Sequence, residues 1–201
     1  MKRDTEQFHY SIDVVEPLYR GFYQMDQMTV THQRFDGGSQ TISRELMDRH
    51  DAVCVLLVDI GRRAVVLIEQ FRVGTLQDAN PWQIELVAGL IDKDEEPEAV
   101  ARREAIEEAG VDIGRVHSIS RYWPSSGGSN ERIHLFVGEV DSHQASGIHG
   151  LAEEGEDIRV LSVPFAEAYG WVRDNVVNNA AAIIALQWLQ LNETSLCDRW
   201  A

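Results

Sequence analysis

Three glutamates, Glu104, Glu107 and Glu108, stand at i, i+3 and i+4 in a stretch free of helix breakers. On a helix this spacing projects the three carboxylates from one face, within a few ångströms of each other. Like charges so placed weaken a helix by about 0.2–0.5 kcal/mol per pair, so the arrangement is costly unless a cation sits among them. A hard divalent ion such as Mg²⁺ suits these groups. It takes oxygen ligands, typically one or two carboxylates completed by water and phosphate oxygens, and no histidine or cysteine stands nearby. Arg103 can pair with Glu95 or Glu107 and orient them. A solvated acidic helix face is the plainer reading, and three glutamates alone do not exclude it. Gly89 is followed after five residues by Glu95, and after seven more by Arg103-Glu104-Ala105-Ile106-Glu107-Glu108-Ala109-Gly110-Val111.

The chain around this cluster reads as a strand, a loop and a helix in that order. Ile84 to Ile91 is an apolar run around the single acid Glu85 and the Ala88-Gly89 pair, and reads as a strand. From Glu96 to Gly110 a helix is expected, with Pro97 at its first position and Gly110 as its C-terminal cap. Val53–Val58 and Ala64–Glu69 are apolar runs around Asp59-Ile60-Gly61-Arg62, predicting a hairpin with Gly61 at the turn. Ile119–Trp123 and Ile133–Val140 are further strand candidates, joined by a flexible loop at Ser125 to Asn130. Residues 142 to 157 read as a second polar loop. Phe165–Arg173 and Ala180–Leu191 read as helices, the second with a core stripe of Ile183, Ile184, Leu186, Trp188 and Leu189. Residues 8 to 50 read as strands with little core of their own. Phe22 to Met25 and Met28 to Val30 are rich in β-formers, and Asp36-Gly37-Gly38-Ser39 is a turn before Gln40–Leu46.

A formal charge of −15 would repel a nucleic-acid backbone, and there is no Lys/Arg cluster to track one. The same charge opposes any small phosphorylated substrate unless divalent cations neutralise the acidic site first. Cys54 and Cys197 have no CxxC spacing, so a disulfide or zinc framework is not expected. Met1-Lys2-Arg3 leads into polar Asp4 to Gln7 without an apolar leader, and no run approaches about 20 apolar residues. Membrane insertion is not expected, and a cytoplasmic protein is.

The segment Gly89 to Val111 resembles the Nudix box, Gly-x5-Glu-x7-Arg-Glu-U-x-Glu-Glu-x-Gly-U with U apolar, at every defined position. Beyond the box, Leu18 to Phe22, Val66 to Gln70, Ser146 to Gly150, Glu156 to Val160 and Ala185 to Leu191 look like the bacterial ADP-ribose pyrophosphatase subfamily. The resemblance implies an α/β fold: a Nudix α/β/α sandwich over 51–201 with a mixed sheet, and a small antiparallel β domain over 1–50 exchanged across a homodimer. It implies pyrophosphate cleavage of ADP-ribose to AMP and ribose 5-phosphate with two or three Mg²⁺ ions, Mn²⁺ being a possible substitute. Alternatives are cleavage of another nucleoside-diphosphate sugar, such as ADP-glucose or GDP-mannose, and a non-catalytic Nudix-like nucleotide sensor.

Carried over by position, the metals are expected on the Ala88 carbonyl, Glu104, Glu108 and Glu156, supported by Gly89, Glu95, Arg103 and Glu107. Glu154 matches the general base, ahead of Glu153 and Glu156. Arg72 and Leu90 match substrate contacts, and Ser125, Gly127 and Glu131 match the terminal-ribose loop; by themselves these last three are a turn and a surface acid. Phe22 and Tyr23 would stack on adenine from the partner subunit, with Arg44 and Glu45 near; a core role for both rings is the bland alternative. One departure stands out. Where ADP-ribose members commonly place a proline inside a Ser-Pro-Gly-Gly loop, this chain has Ser126, and its proline is Pro124. That bears on substrate choice more than on reaction class.

Overall fold

The computed structural model describes residues 8–92 and 95–200. The polar N-terminal stretch through Gln7, and Lys93 and Asp94 inside the box, lie outside them. The described chain forms two compact units. A division at residue 50 alone does not delimit them, because Trp123–Glu131 groups with the N-terminal strands.

The first unit is a three-stranded antiparallel sheet of β1 (Tyr10–Arg20), β2 (Gln24–Gln33) and β3 (Ser39–Asp48). Its alternating β-branched and polar residues favour extended chain but leave almost nothing to bury: every residue of β1 is exposed, and Asp26 alone is buried in β2. Phe22 and Tyr23 lie in the β1–β2 turn rather than in a strand. The Ser125–Asn130 segment, expected as a flexible loop, is tied to β3. Met47 N–H donates to the Gly128 carbonyl at 2.8 Å, and the Asn130 side chain bonds Asp48.

The second unit is a mixed sheet with helices on both faces. β4 (Ala52–Asp59) and β5 (Ala64–Phe71) form the expected hairpin, but the left-handed turn position belongs to Arg63, φ 53°, and not to Gly61. The apolar run expected as one strand divides into β6 (Trp82–Glu85), paired with β5, and β7 (Val87–Leu90), paired with β4. β8 (Val116–Tyr122) and β9 (Ile133–Glu139) pair antiparallel, and β9 lies parallel to β4. The expected 142–157 loop contains a two-residue strand, β10 (Ile148–His149), closing against β11 (Ile158–Pro164).

The sheet's alternation divides the core between its faces. Ala52, Cys54, Leu56 and Val58 face α2 (Phe165–Arg173) and α3 (Ala180–Trp200), whereas Val53, Val55 and Leu57 face α1 (Pro97–Ala109). This is an α/β/α sandwich. Leu186 and Leu189 are fully buried on the first face, each contributing roughly 1.5–3 kcal/mol of hydrophobic stabilisation. α3 runs nine residues beyond the expected end at Leu191, because Leu196 and Trp200 also find buried positions. Among the described residues no helix is long and apolar enough to cross a membrane. Cys54 is buried in the sheet and Cys197 is half-buried on α3.

Candidate active site

α1 starts at Pro97, whose missing N–H costs nothing in a first turn, and ends on Gly110 at φ 65°. Its inner face, Val100, Ala101, Ala105 and Ala109, is buried against the sheet, which fixes the rotation of the helix and carries Glu104 and Glu108 over the β7 end. Gly89 is required there by close approach: a methyl group on its Cα would overlap the Glu104 carboxylate. One residue earlier, Ala88 N–H donates to Glu108 Oε2 at 2.9 Å.

Glu108 is only 3% exposed, and among the described residues no cation lies within ion-pairing distance of it. Burial pushes its carboxyl up to about 8; the Ala88 N–H opposes the rise, and the charges of Glu104 and Glu156 add to it. Glu104 is pushed up to about 7, first by burial, with Arg103 opposing and Glu107 and Glu156 reinforcing. Arg103 joins the cluster as its counter-charge, 2.8 Å from Glu104, 2.9 Å from Glu107 and 3.5 Å from Glu95. The predicted pairing with Glu95 or Glu107 is thus met at both, with Glu104 in addition.

Glu156 lies on the loop between β10 and β11 and accepts the Leu151 N–H at 2.9 Å. Glu153 and Glu154 are exposed on a short 3-10 turn, Ala152–Glu154, ended by Gly155 at φ 72°. Arg72 is held by both Nε and Nη2 on Glu85 Oε2, at 2.9 and 2.7 Å. Burial works against its charge, but Glu85, with Glu108 and Glu156 beyond it, outweighs this and raises its pKa. The lone acid of the apolar run is therefore the partner of Arg72, a role its sequence position did not reveal. Leu90 is half-buried and packs against the helix-α2/α3 core.

The remaining predicted contacts lie in the first unit. Phe22 is 82% exposed and meets Tyr23 edge to face at 5.0 Å, while the Arg49 guanidinium lies 5.0 Å over the Tyr23 ring. A core role for these two rings is excluded by that exposure in the chain. Glu131 is not a surface acid: it is buried and paired with Arg49 at 3.2 Å. Arg49 thus touches two predicted site residues without having been singled out. Ser125 caps a turn through its carbonyl, Gly127 faces open space, and Arg44 and Glu45 stand opposite Met28 and Gln27 on β3.

Among the described residues no three His, Cys, Asp or Glu side chains converge as a closed ion cage. Two carboxylates that burial leaves holding protons near neutral pH still fit a hard divalent cation, which binds through one or two carboxylates and completes its shell with water and phosphate. The chemistry of such a group at a raised pKa also makes a stability prediction. The folded protein keeps protons on Glu108 and Glu104 that the unfolded chain has released above 4.5, so stability present at low pH is lost as pH rises from about 5 to about 8. Thermal unfolding in excess chelator should show Tm falling across this window. A flat profile would contradict the burial of these charges.

The model of the NUDIX domain matches residues 48–193. The chain belongs to the NUDIX family. An ADP-ribose pyrophosphatase from Escherichia coli (strain K12) is 47% identical over 92% of this chain and 90% of its own length, and one from Haemophilus influenzae is 43% identical over 99% and 96%. A GDP-mannose pyrophosphatase from Cronobacter sakazakii is 39% identical over 87% and 91%. A solved structure described as that of an ADP compounds hydrolase superposes with a TM-score of 0.67 at 19% identity, covering 94% of this chain and 97% of that one, which bears on the fold. Within the NUDIX family framework the Gly89 contact, the Arg103 bridges and the raised carboxylates belong to one strand-loop-helix unit.

Proposed function

We propose that this chain is a Mg²⁺-dependent pyrophosphohydrolase that cleaves ADP-ribose to AMP and ribose 5-phosphate. The observation that carries the reaction class is the pair of desolvated carboxylates, half-buried Glu104 and buried Glu108, held over Gly89 with raised pKa values and with the Glu156 charge acting on both. Glu104, Glu108, Glu156 and the Ala88 carbonyl would hold the cation, Mg²⁺ or in its place Mn²⁺, two or three ions being the expected number. Bound there, the metal would neutralise pyrophosphate charge and lower the pKa of a water. Arg103 keeps Glu104 and Glu107 in place, and Arg72, anchored by Glu85, offers its remaining N–H groups to a phosphate or ribose oxygen. Glu154 would accept the proton of the attacking water as the P–O–P bond breaks.

The subfamily of the relatives supports ADP-ribose as substrate. The first unit supports a homodimer. Its sheet exposes Ile12, Val14, Leu18, Tyr19 and Phe22, a coreless arrangement that is marginal in water without a partner surface. In an exchanged dimer, Phe22 and Tyr23 of the partner subunit would stack on adenine, with Arg44 and Glu45 of the partner subunit beside them; Ser125, Gly127 and Glu131 would serve the terminal ribose, and Leu90 the substrate near the box. Two cysteines without CxxC spacing fit a reducing, cytoplasmic setting. A second reading keeps the chemistry and takes GDP-mannose, favoured by the GDP-mannose pyrophosphatase among the relatives and by Ser126 in place of a loop proline.

Specificity constants over ADP-ribose, ADP-glucose and GDP-mannose, each with and without Mg²⁺, test the assignment. ADP-ribose is expected to lead the panel, with turnover lost in chelator. A tenfold preference for GDP-mannose, about 1.4 kcal/mol in transition-state binding, would move the protein to the second reading.

A further inference from the structure

The acidic loop has no apolar anchor of its own, yet it must hold Glu154 and Glu156 at a fixed height above α1. Ala152 to Gly155 are all exposed, and the β10–β11 ladder at its base is two residues long. What steadies it is a series of contacts that starts at the C-terminal end of α1. The His149 ring lies against Gly110, so closely that a methyl group at Gly110 would overlap the imidazole Cε1. Its Nε2 donates to the Ser146 carbonyl at 2.8 Å, which turns the ring toward the helix end and assigns the proton to Nε2. Gly150 N–H then donates to the Glu107 carbonyl at 3.1 Å, satisfying one of the helix's terminal acceptors. Next in the chain, Leu151 N–H donates to the Glu156 carboxylate, and Leu151 carbonyl accepts the N–H groups of Glu154 and Glu156 at 3.0 and 3.2 Å.

We infer that His149 is a positioning residue, one that docks the acidic loop on the end of the catalytic helix and so sets where Glu154 and Glu156 stand relative to Glu104 and Glu108. The inference rests on the active-site reading above. It also gives Gly110 a second reason to be glycine besides its left-handed φ: a side chain there would push His149, and with it the loop, off the helix. A histidine that only filled space would tolerate its own removal without altering the loop's backbone bonds.

The test compares His149→Ala and His149→Gln with wild type, Gln offering an amide donor near the place of Nε2. His149→Ala should lower kcat roughly tenfold, with KM changed by less than about twofold, as found when outer contacts of metal-site ligands are lost. In metal-free protein, amide exchange over residues 150–157 should quicken in His149→Ala and return toward wild type in His149→Gln. Gly110→Ala should cost less additional kcat in the His149→Ala background than in wild type, because the overlap is gone and only the backbone strain remains. Unchanged exchange and kcat in His149→Ala, or a glutamine variant as impaired as the alanine one, would overturn the inference. If wild type proved inactive on pyrophosphate substrates, the functional reading would fall while the exchange measurement still decided the docking role.

Discussion

Glu108→Gln is expected to lower kcat by at least about 10³-fold, some 4 kcal/mol of lost transition-state stabilisation, while leaving the protein folded. The substitution is nearly isosteric, and the glutamine carbonyl oxygen can still accept the Ala88 N–H that now reaches Glu108 Oε2. What it removes is the negative charge of a carboxylate that is 3% exposed and flanked by two other acids. That charge is a liability to the metal-free fold and an asset only to a bound cation. Glu108→Gln should therefore be at least as stable as wild type in chelator at pH 8, and should lessen the fall of Tm between about pH 5 and 8, leaving the part due to Glu104, since the glutamine has no proton to lose. Added Mg²⁺ should raise the wild-type Tm more than that of the variant. Activity within tenfold of wild type would remove Glu108 from the metal site. A collapse of Tm would show instead that the side chain serves the fold, and the two outcomes separate cleanly because turnover and unfolding are read independently.

The helix and its caps were legible from the chain because they depend on local rules: Pro97 at the first turn, an unbroken run to Ala109, and a glycine where φ must be positive. The sandwich was legible through the resemblance carried by the box and its neighbouring segments. Three features escaped. The apolar run around Glu85 reads as one strand because periodicity does not reveal that residues 82–85 and 87–90 serve different neighbours. Arg63 takes the left-handed turn position although Gly61 stands two residues away, since the hairpin's register, not residue preference, decides which position must bend. Arg49 and His149 were missed as partners because their contacts, with Glu131 and with Gly110, join residues 82 and 39 apart in sequence, and no spacing rule spans such distances. The carboxylate cluster lies between these extremes. Its i, i+3, i+4 spacing marked the face, but the inequality among its members came only from packing: Glu108 is buried, Glu104 half so, and Glu107 bound to Arg103.

Glu154→Gln is expected to depress kcat by roughly 10²–10⁴-fold, the usual worth of a general base, with the Mg²⁺ concentration for half-maximal activity unchanged. Three acids of this loop compete for the role, and their backbone settings differ. Glu156 already spends one carboxylate oxygen on the Leu151 N–H, which fixes the carboxylate and suits it to the proposed ligand role more than to a group that swings to a water. Glu153 and Glu154 are adjacent on a 3-10 turn, so their side chains leave it about 120° apart and cannot both face the same water. On the proposed mechanism only one of the two can then serve as the base, and the resemblance implies Glu154. Glu153→Gln should then keep near wild-type turnover, whereas Glu156→Gln should raise the Mg²⁺ requirement along with its loss of rate. If Glu153→Gln were the inactive variant, the base would move one residue along the turn with the rest of the site intact. If Glu154→Gln shifted the Mg²⁺ requirement in step with kcat, Glu154 would be acting as a ligand, and the proton would have to pass to a group outside this loop.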